Sequence, residues 1–132
     1  MRARALATAL AALCAVALSA CGNDADTSQG KKVADTVRKF ALADGPQACD
    51  LLGGQALQDN YGGTNYNEGK ANCKAKSGAF KGEPVKITFV KVTSDTTARV
   101  NAENTAGRLF VVSLSKPEGD WLIERIIPQR KQ

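Results

Sequence analysis

Cysteines at 14, 21, 49 and 73, and the absence of any histidine, set the chemistry open to this chain of 132 residues. Without an imidazole there is no Ser-His-Asp triad, no Cys-His nucleophile pair and no histidine-bearing zinc site. What remains for proton transfer is a carboxylate assisted by a tyrosine, and it needs burial to lift the carboxyl pKa toward neutrality. The residues of that type are Asp35, Asp50, Asp59, Tyr61 and Tyr66. Asp35 sits two positions from both Val33 and Val37, off the apolar stripe they define. Asp50 follows Cys49 as a helix-end charge, and the two tyrosines flank a polar loop, so each reads more naturally as surface than as catalyst. No metal or cofactor is expected.

The elements that must position these residues begin after an export signal. Met1-Arg2-Ala3-Arg4 is a positive head, and Ala5 to Leu18 carries no charge. Fourteen apolar residues fall short of the roughly 20 that a permanent spanning helix needs, but suit the middle of a signal peptide. Leu18-Ser19-Ala20-Cys21 follows, and it resembles the bacterial lipobox: an aliphatic residue, two small ones, and the cysteine to be acylated. The resemblance implies cleavage between Ala20 and Cys21, a thioether from the Cys21 sulfur to diacylglycerol, and fatty acids such as palmitate on the product. Two or three acyl chains, at ~0.8 kcal/mol per buried methylene, give lasting attachment. The expected address is the outer face of a bacterial cytoplasmic membrane, or the periplasm-facing side of one, with membrane lipid as the first partner.

In that compartment disulfides persist. Cys14 leaves with the signal and Cys21 is taken by lipid, so Cys49 and Cys73 are expected to bridge. The loop they close, about 25 residues, would contribute roughly 3.5 kcal/mol in the chain-entropy picture. The competing reading, a metal or redox pair, lacks CxxC spacing and a histidine. Removing Arg2 and Arg4 lowers the net charge from +5 to +3. Export and dispersed lysines exclude nucleic acid as the expected partner. Lys70, Lys74, Lys76 and Lys81, with Arg125, Arg130 and Lys131, form loose basic stretches: a solvated surface, or a weak attraction to anionic lipid or wall polymer.

Residues 21–30 (CGNDADTSQG) read as a flexible polar tether, and 31–132 as one domain. Val33, Val37, Phe40 and Ala41 make one stripe of a helix. Asp44-Gly45-Pro46 ends it, and Pro46 opens a second, short helix to Leu52. Gln55 to Tyr61 suits another turn or two, and Tyr61 to Gly69 a glycine- and asparagine-rich loop. The period then changes. Val85, Ile87 and Phe89 alternate with polar residues, as do Val90 and Val92, and the parity slip between them predicts a β-bulge at Phe89-Val90. Strands are expected over Ala98–Ala102, Leu109–Leu114 and Trp121–Ile127, joined by short turns, which makes an antiparallel meander. The fold class is α+β: N-terminal helices packed on a curved antiparallel sheet.

This order resembles the NTF2-like (cystatin-like cone) superfamily, particularly its small secreted lipoproteins. The carrying segments are VADTVRKFALADGPQACDLL, a second cysteine 24 residues on, KITFVKVTSDTTARVNAE and GRLFVVSLSKPEGDWLIERI. The resemblance implies that Trp121 and Ile123 fill the cone. Some relatives are isomerases or dehydratases with catalytic groups deep in the cone, whose His-Asp pair is excluded here. The expected function is a non-catalytic binding or accessory module on the membrane. As the alternative, Phe40, Phe89, Phe110 and Trp121 line a cone that takes a small apolar ligand, unless they simply fill it. With Phe110, Val112 and Leu114 turned outward, the outer sheet face would present an apolar patch for a protein partner or a second copy.

Overall fold

The computed structural model describes residues 22–130, so the signal sequence, Ala20 and the acylation candidate Cys21 lie outside the described residues. Helix α1 spans Ser28–Leu42, followed by a 3₁₀ segment Gly45–Leu51, α2 Gly54–Tyr61, α3 Tyr66–Lys76 and a 3₁₀ turn Ser77–Ala79. Four strands complete the chain: β1 Lys86–Val92, β2 Thr97–Glu103, β3 Leu109–Ser115 and β4 Leu122–Pro128. They form one antiparallel meander in the order β1-β2-β3-β4. The architecture is the expected α+β class.

Burial of one face of each element explains the layering. Val33, Ala34 and Val37 of α1 are buried against Val90, Val100, Val112, Leu114 and Ile123 of the sheet. Trp121 is buried at the start of β4, and its indole N–H donates to the Gln29 side-chain oxygen at 3.1 Å. Lys116 lies over the same ring, 5.1 Å from its centroid. Gly45 opens the 3₁₀ segment at φ 64°, in the region where a side chain is strained, and Pro46 follows at the first turn.

The segment read as a tether is structured. Thr27 caps α1, its hydroxyl accepting the Gly30 N–H at 3.0 Å, so the helix begins at Ser28, inside the expected tether. Ahead of it, Asp24 N–H donates to the Val90 carbonyl at 2.7 Å. The Asn23 side-chain oxygen accepts the Val90 N–H at 3.0 Å, and the Asp24 carboxylate the Val92 N–H at 2.8 Å. These bonds satisfy part of the free edge of β1. At the opposite edge, Leu52 bridges to Ile123 and Gly53 N–H donates to the Ile123 carbonyl at 2.7 Å.

The expected loop at 61–69 is shorter than read, because α3 starts at Tyr66. The Asn65 side chain accepts the Glu68 N–H at 2.9 Å, and the Glu68 carboxylate accepts the Thr64 hydroxyl at 2.7 Å. Asn-x-x-Glu is a helix-start signal that the polar composition obscured. The helix buries only Gly69 and Cys73, so no apolar stripe announced it.

Two bulges set which side chains face the core. The first lies between Ile87 and Phe89, one residue earlier than expected. Ile87 then stands opposite buried Ala102, and Phe89 opposite Asn101. Phe89 is therefore on the outer face, not among the cone-lining residues. The second bulge, at Glu124, separates Leu114↔Ile123 from Ser113↔Arg125. The proposed outer patch of Phe110, Val112 and Leu114 is likewise corrected: Val112 and Leu114 are buried at 4% and 3%, on the parity of buried Ala102 and Val100. The outward positions of β3 are Leu109, Val111, Ser113 and Ser115. Facing α1 decides this parity, since Val112 and Leu114 complete the layer that Val33 and Val37 cover.

Candidate binding cleft

The space between the helices and the sheet is closed at one end and open at the other. At the closed end Trp121, Leu114, Ile123 and Val33 are buried together in the core. At the other end, where α1 finishes, an apolar cleft of about 250 Å³ opens between helix and sheet. Val37, Phe40, Val85, Phe110, Val112 and Ile126 form its walls, and Lys81, Glu83 and Asn104 its rim. Phe40 and Phe110 are half-buried, and Ile126 is 41% exposed.

Phe40 also borders two neighbouring depressions. One, of about 210 Å³, runs past Leu52, Ala56, Tyr61 and Ile126 to Asn60 and Arg125. The other, of about 370 Å³, passes Ala43, Ala48, Tyr61 and Phe80 to Lys81. The ring of Phe40 thus stands as a ridge between adjoining hollows, each a little below or near the lower limit of drug-sized pockets. Such a surface suits a short apolar side chain or acyl segment with polar groups left at the rim. Burial pushes the Tyr61 hydroxyl pKa upward, so it stays protonated beside this surface.

The other acid-base candidates are scattered. Asp35 pairs with Arg38 at 3.2 Å on the exposed side of α1. Asp50 pairs with Lys70 at 3.0 Å and Lys74 at 3.4 Å, and the hydrogen bond from Lys70 holds its carboxyl below the ordinary range. Lys70 is raised in turn by Asp50. Tyr66 is 40% exposed, its hydroxyl 3.5 Å from the Leu52 carbonyl oxygen, and Asp59 is exposed on α2. None of these carboxylates lines the Phe40–Phe110 cleft.

One carboxylate escaped the sequence reading. Burial raises the Glu124 pKa, the Gln55 N–H opposes this, and Asp59 adds to the rise. Its Oε1 is buried without a hydrogen bond. The group lies over Gly53, where a Cβ would overlap it, at the start of α2. Its signal in the sequence was a charge between Ile123 and Ile126, at a parity slip. It lies at the β4–α2 corner, against Gly53 and the Gln55 N–H.

The disulfide is formed: Cys49 and Cys73 are joined with Cα atoms 6.0 Å apart, both sulfur-bearing residues fully buried. It ties the 3₁₀ segment to α3, which also carries the Asp50–Lys70 and Asp50–Lys74 pairs. Among the described residues no group of three His, Cys, Asp or Glu side chains is placed to hold a metal ion, and no helix is long and apolar enough to cross a membrane. Comparison with protein-family models, with curated proteins and with solved structures finds no match to this chain.

Proposed function

We propose that this chain is a membrane-anchored extracytoplasmic lipoprotein whose NTF2-like domain is a non-catalytic binding or accessory module working through the Phe40–Phe110 cleft. The observation that carries it is that cleft: an apolar surface left uncovered by the fold, walled by half-buried aromatic rings. The buried disulfide supports the oxidising compartment, and LSAC at 18–21 supports acylation at Cys21. The occupant of the cleft is an apolar group presented by a protein partner.

Two measurements test this. Cys21→Ser abolishes incorporation of radiolabelled palmitate and releases or stalls the precursor; unchanged labelling overturns the anchor. Crosslinking in native membranes, from a photoreactive residue at Phe40, captures a discrete partner. Recovery of extracted small lipid in its place favours the ligand-binding alternative, and neither product would refute the cleft as the working site.

A second reading has its own observation. Phe89, Asn101, Val111 and Ile127 are successive partners across the four strands, and Ile127 is 44% exposed. This outward row is the face on which a homodimer would form, and sedimentation at micromolar concentration separates it from the cleft reading.

A further inference from the structure

Resting on acylation of Cys21, we infer that the lipid anchor holds the domain without slack, with the β1 edge against the bilayer and the β4–α2 side turned away. Nine flexible residues would let the domain wander roughly 15–18 Å from its anchor. The bonds of Asn23 and Asp24 to Val90 and Val92 remove that freedom. The Asp24 carbonyl is fixed in turn by the Thr27 N–H at 3.0 Å and its hydroxyl at 2.7 Å. A Cβ on Gly30 would overlap that carbonyl, so α1 is seated directly on it. The Asp24 carboxylate also lies 4.0 Å from Lys91.

In the sequence Gly22 alone separates Cys21 from Asn23, so an anchor on Cys21 joins the pinned segment through a single residue. The acyl chains therefore leave the domain beside β1. From there β4 is three strand spacings away, ~14 Å, with α2 packed beyond it. The Tyr61–Ile126 end of the apolar surface belongs to that far side. The anchor thus presents the surface to partners in the extracytoplasmic space instead of pressing it into lipid.

The test uses the acylated protein extracted from membranes and reconstituted in phosphatidylethanolamine–phosphatidylglycerol vesicles carrying a headgroup spin label. A fluorophore is placed on Lys86→Cys in β1 or on Gln58→Cys in α2, both exposed positions. Cys49 and Cys73 are bonded and Cys21 is acylated, so the introduced thiol is the reactive one. Quenching at 86 should exceed that at 58 at least three-fold. The double variant Asn23→Ala/Asp24→Ala should retain the acyl mass on its N-terminal peptide and lose most of the difference. Equal quenching at the two positions in protein of confirmed acyl mass overturns the orientation while leaving the anchor intact. An N-terminal peptide without lipid mass overturns both.

Discussion

Cys49 and Cys73 are bonded at the same junction where Asp50 and Lys74, the next residue in each case, stand 3.4 Å apart. The covalent link and the ion pair clamp the same two segments, but they contribute unequally. The Asp50–Lys74 pair is about half exposed on both sides, and such pairs are worth roughly 0–1 kcal/mol. The disulfide closes a loop across 24 positions, for which chain entropy gives about 3.5 kcal/mol.

Replacing both cysteines, Cys49→Ala with Cys73→Ala, should therefore lower unfolding free energy by about 2–4 kcal/mol in urea titration. Asp50→Asn should lower it by less than about 1 kcal/mol, with the loss shrinking in high salt. Equal losses from the two changes would show that the covalent link is not the main clamp.

Glu124 makes stability depend on pH in a definite sense. Its carboxyl pKa is raised in the folded state, so the native protein holds that proton more tightly than the unfolded chain does. Stability contributed by this group is full below the unfolded value near 4.5 and is lost as pH rises through the higher folded value. Glu124→Gln should melt above the wild type at pH 7 and match it at pH 4. A gain of the same size at both pH values would assign the effect to something other than ionisation.

Gly30 is the contact between α1 and the pinned Asp24. Gly30→Ala normally favours a helix by about 0.5–1 kcal/mol. Here the added methyl meets the Asp24 carbonyl and the Thr27 hydroxyl, so the change should destabilise, by about 1–3 kcal/mol. Amide exchange at Val90 and Val92 should accelerate in the same variant. Protection that stays as in the wild type would mean that the 23–24 segment does not depend on the helix.

Phe40 separates the two proposed surfaces. Phe40→Ala should reduce the affinity of the cleft for its apolar occupant about ten-fold or more, at a stability cost of about 1–3 kcal/mol for a half-buried ring. Phe89→Ala, on the opposite face, should leave that affinity unchanged and weaken any self-association. Titration by fluorescence and by sedimentation reads the two effects apart, and a reversed pattern would move the working surface to the outer sheet.

The residues alone were enough for the α+β class, the meander, the stripe of α1 and the pairing of Cys49 with Cys73. The first three follow from local periodicity and turn residues, and the pairing from the expectation that Cys14 leaves with the signal and Cys21 is taken by lipid. The parity of Phe89 did not, because one inserted residue at Thr88 or at Phe89-Val90 leaves the same alternating pattern in the chain. Only pairing with Asn101, flanked by the buried Val100 and Ala102, chooses between them. Helix α3 and the Asn23–Asp24 latch were missed for a related reason. Their segments are polar, and their order comes from hydrogen bonds whose worth depends on what stands opposite: a cap at Asn65, a distant cysteine, the open edge of β1. Composition tells that such a segment cannot bury itself; the free backbone groups of a neighbouring strand decide whether it is held.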